Sequence, residues 1–316
     1  MANVITVTMN PSIDISSSVD RVMPTRKLRC KPERRDPGGG GINVARVVKR
    51  LGVDVQAIYP AGGSPGVLLR RLLDQEGIAG NAIGISGDTR EDLTILDESS
   101  GEQFRFVFPG PAMDAEELSR VMDAVAASNP PPEFIVASGS LPPGAPVDLF
   151  AALARIARQL GSRFVLDTSG PALKRALDER IYLIKPSLRE LSELVGKRLA
   201  TEDEWRNAAV ELVGSGKADV VALTLGERGA LLATHDGAFR APGLALKVAS
   251  VVGAGDCFLG GMVSSLARGN PLLEAFRLGV AAGSAAVQMP GTALCEKKDV
   301  DLLLEKVEPP EQCFAV

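Results

Sequence analysis

Histidine is almost missing from this chain of 316 residues, with His235 the only one. Serine–histidine triads and multi-histidine metal sites are therefore not expected, and a carboxylate becomes the natural base for any proton abstraction. His235 follows a β-like run and precedes an Asp236-Gly237 turn, which reads as a surface loop. Cysteine is scarce as well. Cys30, Cys257, Cys295 and Cys313 are scattered without CxxC spacing, so neither a zinc site nor a disulfide framework is expected, and the chain reads as reduced and cytoplasmic. Charge of one sign is not in excess: 35 Lys+Arg against 39 Asp+Glu leave a net −4. That balance offers no broad basic field for nucleic acid, so any phosphate handling must be local. No window approaches ~18 uninterrupted apolar residues, which argues against a membrane span. The opening Ala2–Thr8 alternates like a short strand and lacks the basic flank and apolar run of a signal peptide. Repeats, low-complexity tracts and long linkers are absent. Pro130–Pro132 is a short stiff connector, and the polar, proline-bearing tail after Glu308 is expected to be loose.

What is present is an alternation. Apolar runs at Val53–Tyr59, Phe134–Ala137, Phe164–Asp167, Tyr182–Lys185 and Val220–Leu225 read as strands. Between them Ile42–Leu51, Val67–Glu76, Val147–Leu160 and Arg206–Val213 carry helical period. Strands alternating with helices predict one large α/β domain, a parallel sheet covered on both faces, with ligands at the carboxyl ends of its strands. That rim would carry Asn10, Gly62-Gly63, Ser138–Ser140, Asp167, Lys185 and Thr224–Gly226. Two stretches, about 13–36 and 88–108, break the rhythm and read as short strands with turns (for example Leu93–Asp97, then Gln103–Phe108). A small additional sheet is expected from them.

The richest stretch is Ala249–Met262. Gly253, Ala254 and Gly255 permit close backbone approach, and Phe258, Met262 and Leu266 recur at helical spacing, so a glycine turn feeds a helix N-terminus. Such a terminus presents unpaired N–H groups and positive dipole to an anion. Asp256 in the first turn has two readings, a capping acid or a base taking a proton from an attacking hydroxyl; on these residues alone capping is the commoner role. Gly38–Gly41 opens another helix but has neither P-loop nor GxGxxG spacing, and no GxGxxG follows any predicted strand, which removes a dinucleotide oxidoreductase. Asp14 can accept two hydrogen bonds from vicinal hydroxyls or serve as a turn residue. Lys27, Arg29, Arg90 and Arg105, on the predicted small sheet, are solvated surface charges or a clamp for a phosphate.

Val252-Gly-Ala-Gly-Asp256 with Phe258 and Gly260-Gly261 resembles the C-terminal signature of the ribokinase-like sugar kinases, and Pro37–Arg46 resembles their N-terminal one. Both occur in the family's order, the likeness runs nearly end to end, and it is nearest the phosphofructokinase B branch. The resemblance implies a ribokinase-like three-layer α/β/α fold forming a single domain over 1–316, with the small β-sheet as a lid over the sugar and as a homodimer contact. It implies that Asp256 is the catalytic base, with the Gly253, Ala254 and Gly255 backbone receiving transferred charge. Asp14, Gly39, Gly40, Asn43, Ser140, Lys27, Arg29 and Arg90 would hold a phosphosugar. Lys185, Ser187, Thr224, Gly226, Gly229, Val280 and Ser284 would hold ATP. Glu190 would organise Mg2+, with Asp167 near it, while carbonyls around Ser250, Val252, Ala286, Met289 and Gly291 would hold K+. Lys185-Pro-Ser-Leu-Arg-Glu190 departs from the family's NxxE motif, because Ser187 stands where asparagine is usual. The implied reaction is ATP-dependent phosphorylation of fructose 6-phosphate at its C1 hydroxyl. Fructose 1-phosphate or tagatose 6-phosphate kinases are alternatives within the class, and a non-catalytic sugar-phosphate sensor is the alternative outside it.

Overall fold

A computed structural model describes residues 3–314. In chain order the elements are β1 (Val4–Val7), β2 (Ser12–Val19), β3 (Arg34–Gly38), α1 (Gly40–Arg50), β4 (Val55–Ala61), α2 (Gly63–Gln75), β5 (Ala79–Gly84), β6 (Arg90–Asp97), β7 (Gln103–Phe106) and α3 (Ala115–Ala126). There follow β8 (Phe134–Ser138), α4 (Leu149–Leu160), β9 (Arg163–Asp167), α5 (Gly170–Ala176), β10 (Ile181–Ile184), α6 (Leu188–Val195), α7 (Glu202–Gly214) and β11 (Ala218–Thr224). The chain closes with β12 (Ala230–Thr234), β13 (Gly237–Ala241), α8 (Ala254–Leu266), α9 (Leu272–Ala286), α10 (Lys297–Leu304) and β14 (Glu311–Phe314).

Ten strands form one sheet in the order β14-β13-β12-β11-β10-β9-β8-β1-β4-β5. Every pairing from β5 to β11 is parallel, and β11 through β14 pair antiparallel. Parallel strands bury both faces, which is why runs such as Phe134–Ser138 are apolar throughout rather than alternating. One face packs a core of α1, α2, α8, α9 and α10 side chains, including Val47, Leu69, Phe258 and Phe276. The other packs α3 through α7, including Val121, Phe150, Leu191 and Trp205. The result is the three-layer α/β/α arrangement expected from the sequence. The chain leaves β1 for β4 on one side and returns at β8 on the other, so the β1/β8 boundary is the switch point where a crevice opens at the carboxyl ends.

The two stretches without helical period supply a second sheet, ordered β3-β2-β6-β7. It is tied to the C-terminal third of the chain. Thr292 donates to Asp36 at 2.9 Å, and the hydroxyl of Ser250 lies 3.2 Å from the Gln103 amide oxygen.

Several boundaries differ from those read in the sequence. The first strand spans Val4–Val7, and Ala2 lies outside the described residues. Helix α2 begins at Gly63, before Val67, and β10 stops at Ile184 before Pro186. Helix α7 begins at Glu202, before Arg206, because Thr201 and Glu204 form a reciprocal capping box that periodicity does not register. The tail expected to be loose is instead strand β14. It completes the sheet edge beside β13, with the Gln312 amide donating to Asp236 and Phe314 stacked by Arg206 at 5.6 Å. Three paired residues of ladder plus one cation–π contact are enough to order it. His235 sits exposed in the β12–β13 turn, and all four cysteines are free.

Candidate active site

Helix α8 starts at Gly253, whose φ of 75° is open to glycine and strained for other residues. No side chain caps this helix. Asp256 makes no capping bond either: its carboxylate is turned toward Asn43, whose amide donates to Oδ2 at 2.9 Å. Of the first-turn donors, Ala254 N–H is directed at Val251 O at 3.4 Å. Those of Gly255 and Asp256 occupy the positions without an intrahelical partner, and so suit an anion. Burial, together with the neighbouring carboxylate of Asp167, pushes the Asp256 carboxyl from its ordinary 3.8 up to about 7, while the Asn43 bond and Lys185 pull against that rise. A group poised there exchanges protons readily near neutral pH.

Lys185, just past β10, is 6% exposed and reaches the Asp167 carboxylate at the end of β9 at 3.1 Å. Burial alone would favour loss of its proton, but Asp167, Asp256 and Glu190 outweigh it and hold the ammonium above its usual range. Ser187 and Glu190 form a second capping box at the start of α6. Glu190 N–H bonds Ser187 Oγ at 3.3 Å, and Glu190 Oε2 accepts from Ser187 N–H at 2.8 Å. One oxygen of Glu190 is thus committed to the helix start, and the other lies 3.9 Å from the exposed Arg189 guanidinium.

Two cavities flank this line. One of about 800 Å³ brings together eight of the sequence-picked residues: Ser187, Thr224, Gly226, Gly229, Ala254, Gly255, Val280 and Ser284. Its apolar wall includes Val251 together with Leu244, Leu246 and Val248, and these last three sequence reading missed because the 242–248 segment has no period. The other, of about 380 Å³, is lined by Asn10, Arg90, Phe108 and Ser140 among others. Arg90 is not a free cation: it donates to Phe108 O at 2.8 Å and Asn10 O at 3.1 Å, and pairs with Asp92 at 3.1 Å. Asn10, given no role from sequence beyond its place on the rim, donates to Pro109 O at 2.9 Å and contacts Ser140 Oγ at 3.3 Å. Lys27 and Arg29 lie exposed between β2 and β3 and are not part of this lining, nor is Arg105. Asp14, hydrogen-bonded by Ser12 at 2.6 Å, has its carboxyl raised by burial and lies within the fields of Asp92, Arg90 and Arg105. Gly39 and Gly40 join β3 to α1, with Gly40 against Ser138 at the end of β8. Further along, Ala249 and Ser250 N–H both reach Val287 O, at 2.7 and 3.2 Å, which brings the 250–252 and 286–291 segments side by side.

An anion-receptive helix start with a poised carboxylate, on a rim that carries two separate cavities, is the arrangement of a group-transferring enzyme with two substrates. The pattern of the pfkB family carbohydrate kinases matches residues 7–299, and this chain belongs to that family. It is 44% identical over 309 residues to ATP-dependent 6-phosphofructokinase isozyme 2 of Mycobacterium tuberculosis, covering 98% of this chain and 91% of the relative. The isozyme of the same name from Escherichia coli is 41% identical, covering 95% and 97%. A 1-phosphofructokinase of Bacillus subtilis is 31% identical, covering 96% and 97%. The crystal structure of the E. coli phosphofructokinase-2 with potassium superposes with a TM-score of 0.93 at 40% identity, covering 97% and 99% of the two chains. Structures of that protein with fructose-6-phosphate and as a tetrameric inhibited form each align with TM-score 0.91 at 39% identity, covering 97% and 99%.

Proposed function

We propose that this carbohydrate kinase is an ATP-dependent 6-phosphofructokinase, transferring the γ-phosphoryl group of ATP to the C1 hydroxyl of fructose 6-phosphate. The observation that carries the reading is the uncapped, Asn43-bonded Asp256 with its carboxyl near 7, placed between the two cavities. Asp256 takes the C1 proton as that oxygen bonds to phosphorus, and the bond from phosphorus to the ADP oxygen breaks. N–H groups of Gly255 and Asp256, with the Lys185 ammonium, stabilise charge on the transferring group. The 800 Å³ cavity receives ATP, with Thr224, Gly226 and Gly229 near the phosphates and Val280 and Ser284 along the base. Asp14, Gly39, Gly40, Asn43, Arg90 and Ser140 receive the sugar phosphate, and the small sheet with Lys27 and Arg29 acts as a lid that excludes water. Relatives named 6-phosphofructokinase are more similar than those named 1-phosphofructokinase, which favours this sugar over fructose 1-phosphate.

The donors suit two cations. Glu190 and Asp167 are hard oxygen ligands of the kind Mg2+ uses beside substrate phosphates, and bound Mg2+ supplies charge neutralisation there. The adjoining 250–252 and 286–291 backbone, with Ser250, Val252, Ala286, Met289 and Gly291, offers carbonyl oxygens suited to K+. Phe106, Val107 and Phe108, each more than half exposed on and after edge strand β7, make an apolar patch fitting a second copy of the chain. The reading is a cytoplasmic homodimer, and sedimentation with and without ATP distinguishes it from a larger assembly. The test of the activity is ADP release over fructose 6-phosphate, fructose 1-phosphate, tagatose 6-phosphate and free fructose. Preference for the first supports the reading; turnover of none of them would favour a sensor.

A further inference from the structure

Arg240 on β13 belongs to none of the residues assigned above to either substrate. Its side chain is 19% exposed and does not line the larger cavity. One terminal nitrogen donates to the carbonyls of Ala230, at 2.9 Å, and Ala241; the other donates to the carbonyl of Arg228. Its Nε stands 3.6 Å from the Glu202 carboxylate, and the guanidinium sits 5.8 Å from the centroid of Trp205, the only tryptophan of the chain. Arg228 and Ala230 flank Gly229. A Cβ on Gly229 would fall 2.2 Å from Ala241 O and 2.5 Å from Gly243 N, so the 226–229 turn rests directly on the 241–243 segment. The same turn lines the cavity through Gly226, Glu227, Gly229 and Ala230, as does Gly243 beneath it, while Arg240 itself is not in the lining.

We propose that Arg240 is a positioning residue for the nucleotide, clamping the 226–230 turn from behind in the form that receives phosphates. Peptide units are rigid planes, so fixing the carbonyls of Arg228 and Ala230 fixes the backbone on the ligand side as well. A turn already held in its bound form loses less entropy on binding. Only a fork of several N–H donors spans three carbonyls at once, which is why lysine is a poor substitute. Glu202 and Trp205 hold the guanidinium from α7, so the clamp is braced by an element outside the cavity.

The inference rests on the assignment of that cavity to ATP, and the experiment separates the two. Arg240→Met keeps the apolar stem against Trp205 and removes the donors; Arg240→Lys keeps the charge; Ser284→Trp fills the cavity from α9. For Arg240→Met we expect the ATP KM and the calorimetric ATP Kd to rise about tenfold, the scale of one charge-assisted hydrogen bond. The fructose 6-phosphate KM should stay within about twofold. Arg240→Lys should fall between, and millimolar guanidinium should restore part of the ATP affinity of Arg240→Met. Unchanged ATP affinity in Arg240→Met, or equal rises for both substrates, overturns the inference. If Arg240→Met does not fold, wild-type ATP affinity in Arg240→Lys overturns it. Normal ATP binding in Ser284→Trp overturns the cavity assignment itself, whatever Arg240 does.

Discussion

The two cavities on either side of Asp256 are built from different materials. The smaller one sets three polar side chains, Asn10 after β1, Arg90 on β6 and Ser140 after β8, among apolar neighbours that include Val107, Phe108 and Leu141. The larger is rich in glycines, from the 226–229 turn and α8, and in apolar groups from the 244–251 segment, with Ser187, Thr224, Glu227 and Ser284 beside them. Directional side chains discriminate among hydroxyl and phosphate arrangements, whereas backbone donors and flat apolar walls accept a phosphate chain and a heterocycle. The cavity with Asn10, Arg90 and Ser140 should therefore set sugar choice, and the glycine-rich cavity should set affinity for the common nucleotide. Asp256 belongs to neither, and its loss should be felt by both substrates in kcat.

The largest effect tests that separation at its centre. Asp256→Asn keeps the size and the Asn43 contact but cannot take a proton, so kcat should fall ~10²–10⁴-fold with ATP still bound, as read by calorimetry. Near-normal turnover in a folded variant would remove the base. Next, Arg90→Ala should raise the fructose 6-phosphate KM roughly ten- to a hundredfold, from loss of charge-assisted bonds worth ~1.5–3 kcal/mol, with little change for ATP. Because Arg90 also holds Asp92 and the Asn10 and Phe108 carbonyls, equal losses for both substrates would mean collapse of the small sheet's edge rather than a lost clamp.

A smaller effect concerns stability. A carboxyl raised from 3.8 to about 7 holds its proton in the folded state after the unfolded chain has released it, so its contribution to stability declines as pH rises from about 4 to about 7. A neutral Asn escapes that decline. Asp256→Asn should thus melt higher than the parent at pH 8, by about 2–4 °C if the gain is on the order of 1 kcal/mol, and the gain should shrink toward pH 4. An equal melting temperature across that range would mean that the carboxyl is not raised. Smallest of all, Ser187→Asn retains a good N-cap for α6 and should lower the Mg2+ or ATP concentration for half-maximal rate by a few fold without altering sugar preference. An unchanged metal dependence would make serine a full substitute there.

Much of this organisation is legible in the chain because it follows from short-range pattern. The strand–helix alternation gives the covered parallel sheet, the aperiodic stretches give the second sheet, and the glycine turn before Phe258 gives the start of α8. What is hidden depends on partners far away in sequence or on signals other than period. Asn43 and Asp256 meet across the fold, and without that contact an aspartate in a first helical turn reads as a cap. Ser187 and Glu190, spaced as a motif variant, also satisfy the capping-box pattern, which period and composition did not bring out. The 244–251 wall has no regular element to announce it, and β14 is ordered by an edge it finds only after β13 is in place.

The central claim is that the residue between the two cavities works as a base, and a pH–rate profile reaches it most directly. With saturating ATP, kcat/KM for fructose 6-phosphate should climb about tenfold per pH unit below an inflection near 7, and level off above it, as Asp256 loses its proton. Asp256→Asn should give a low, flat profile over the same range. A profile in the parent that is already level from pH 5 upward, or an inflection near 7 that survives in Asp256→Asn, would contradict the account.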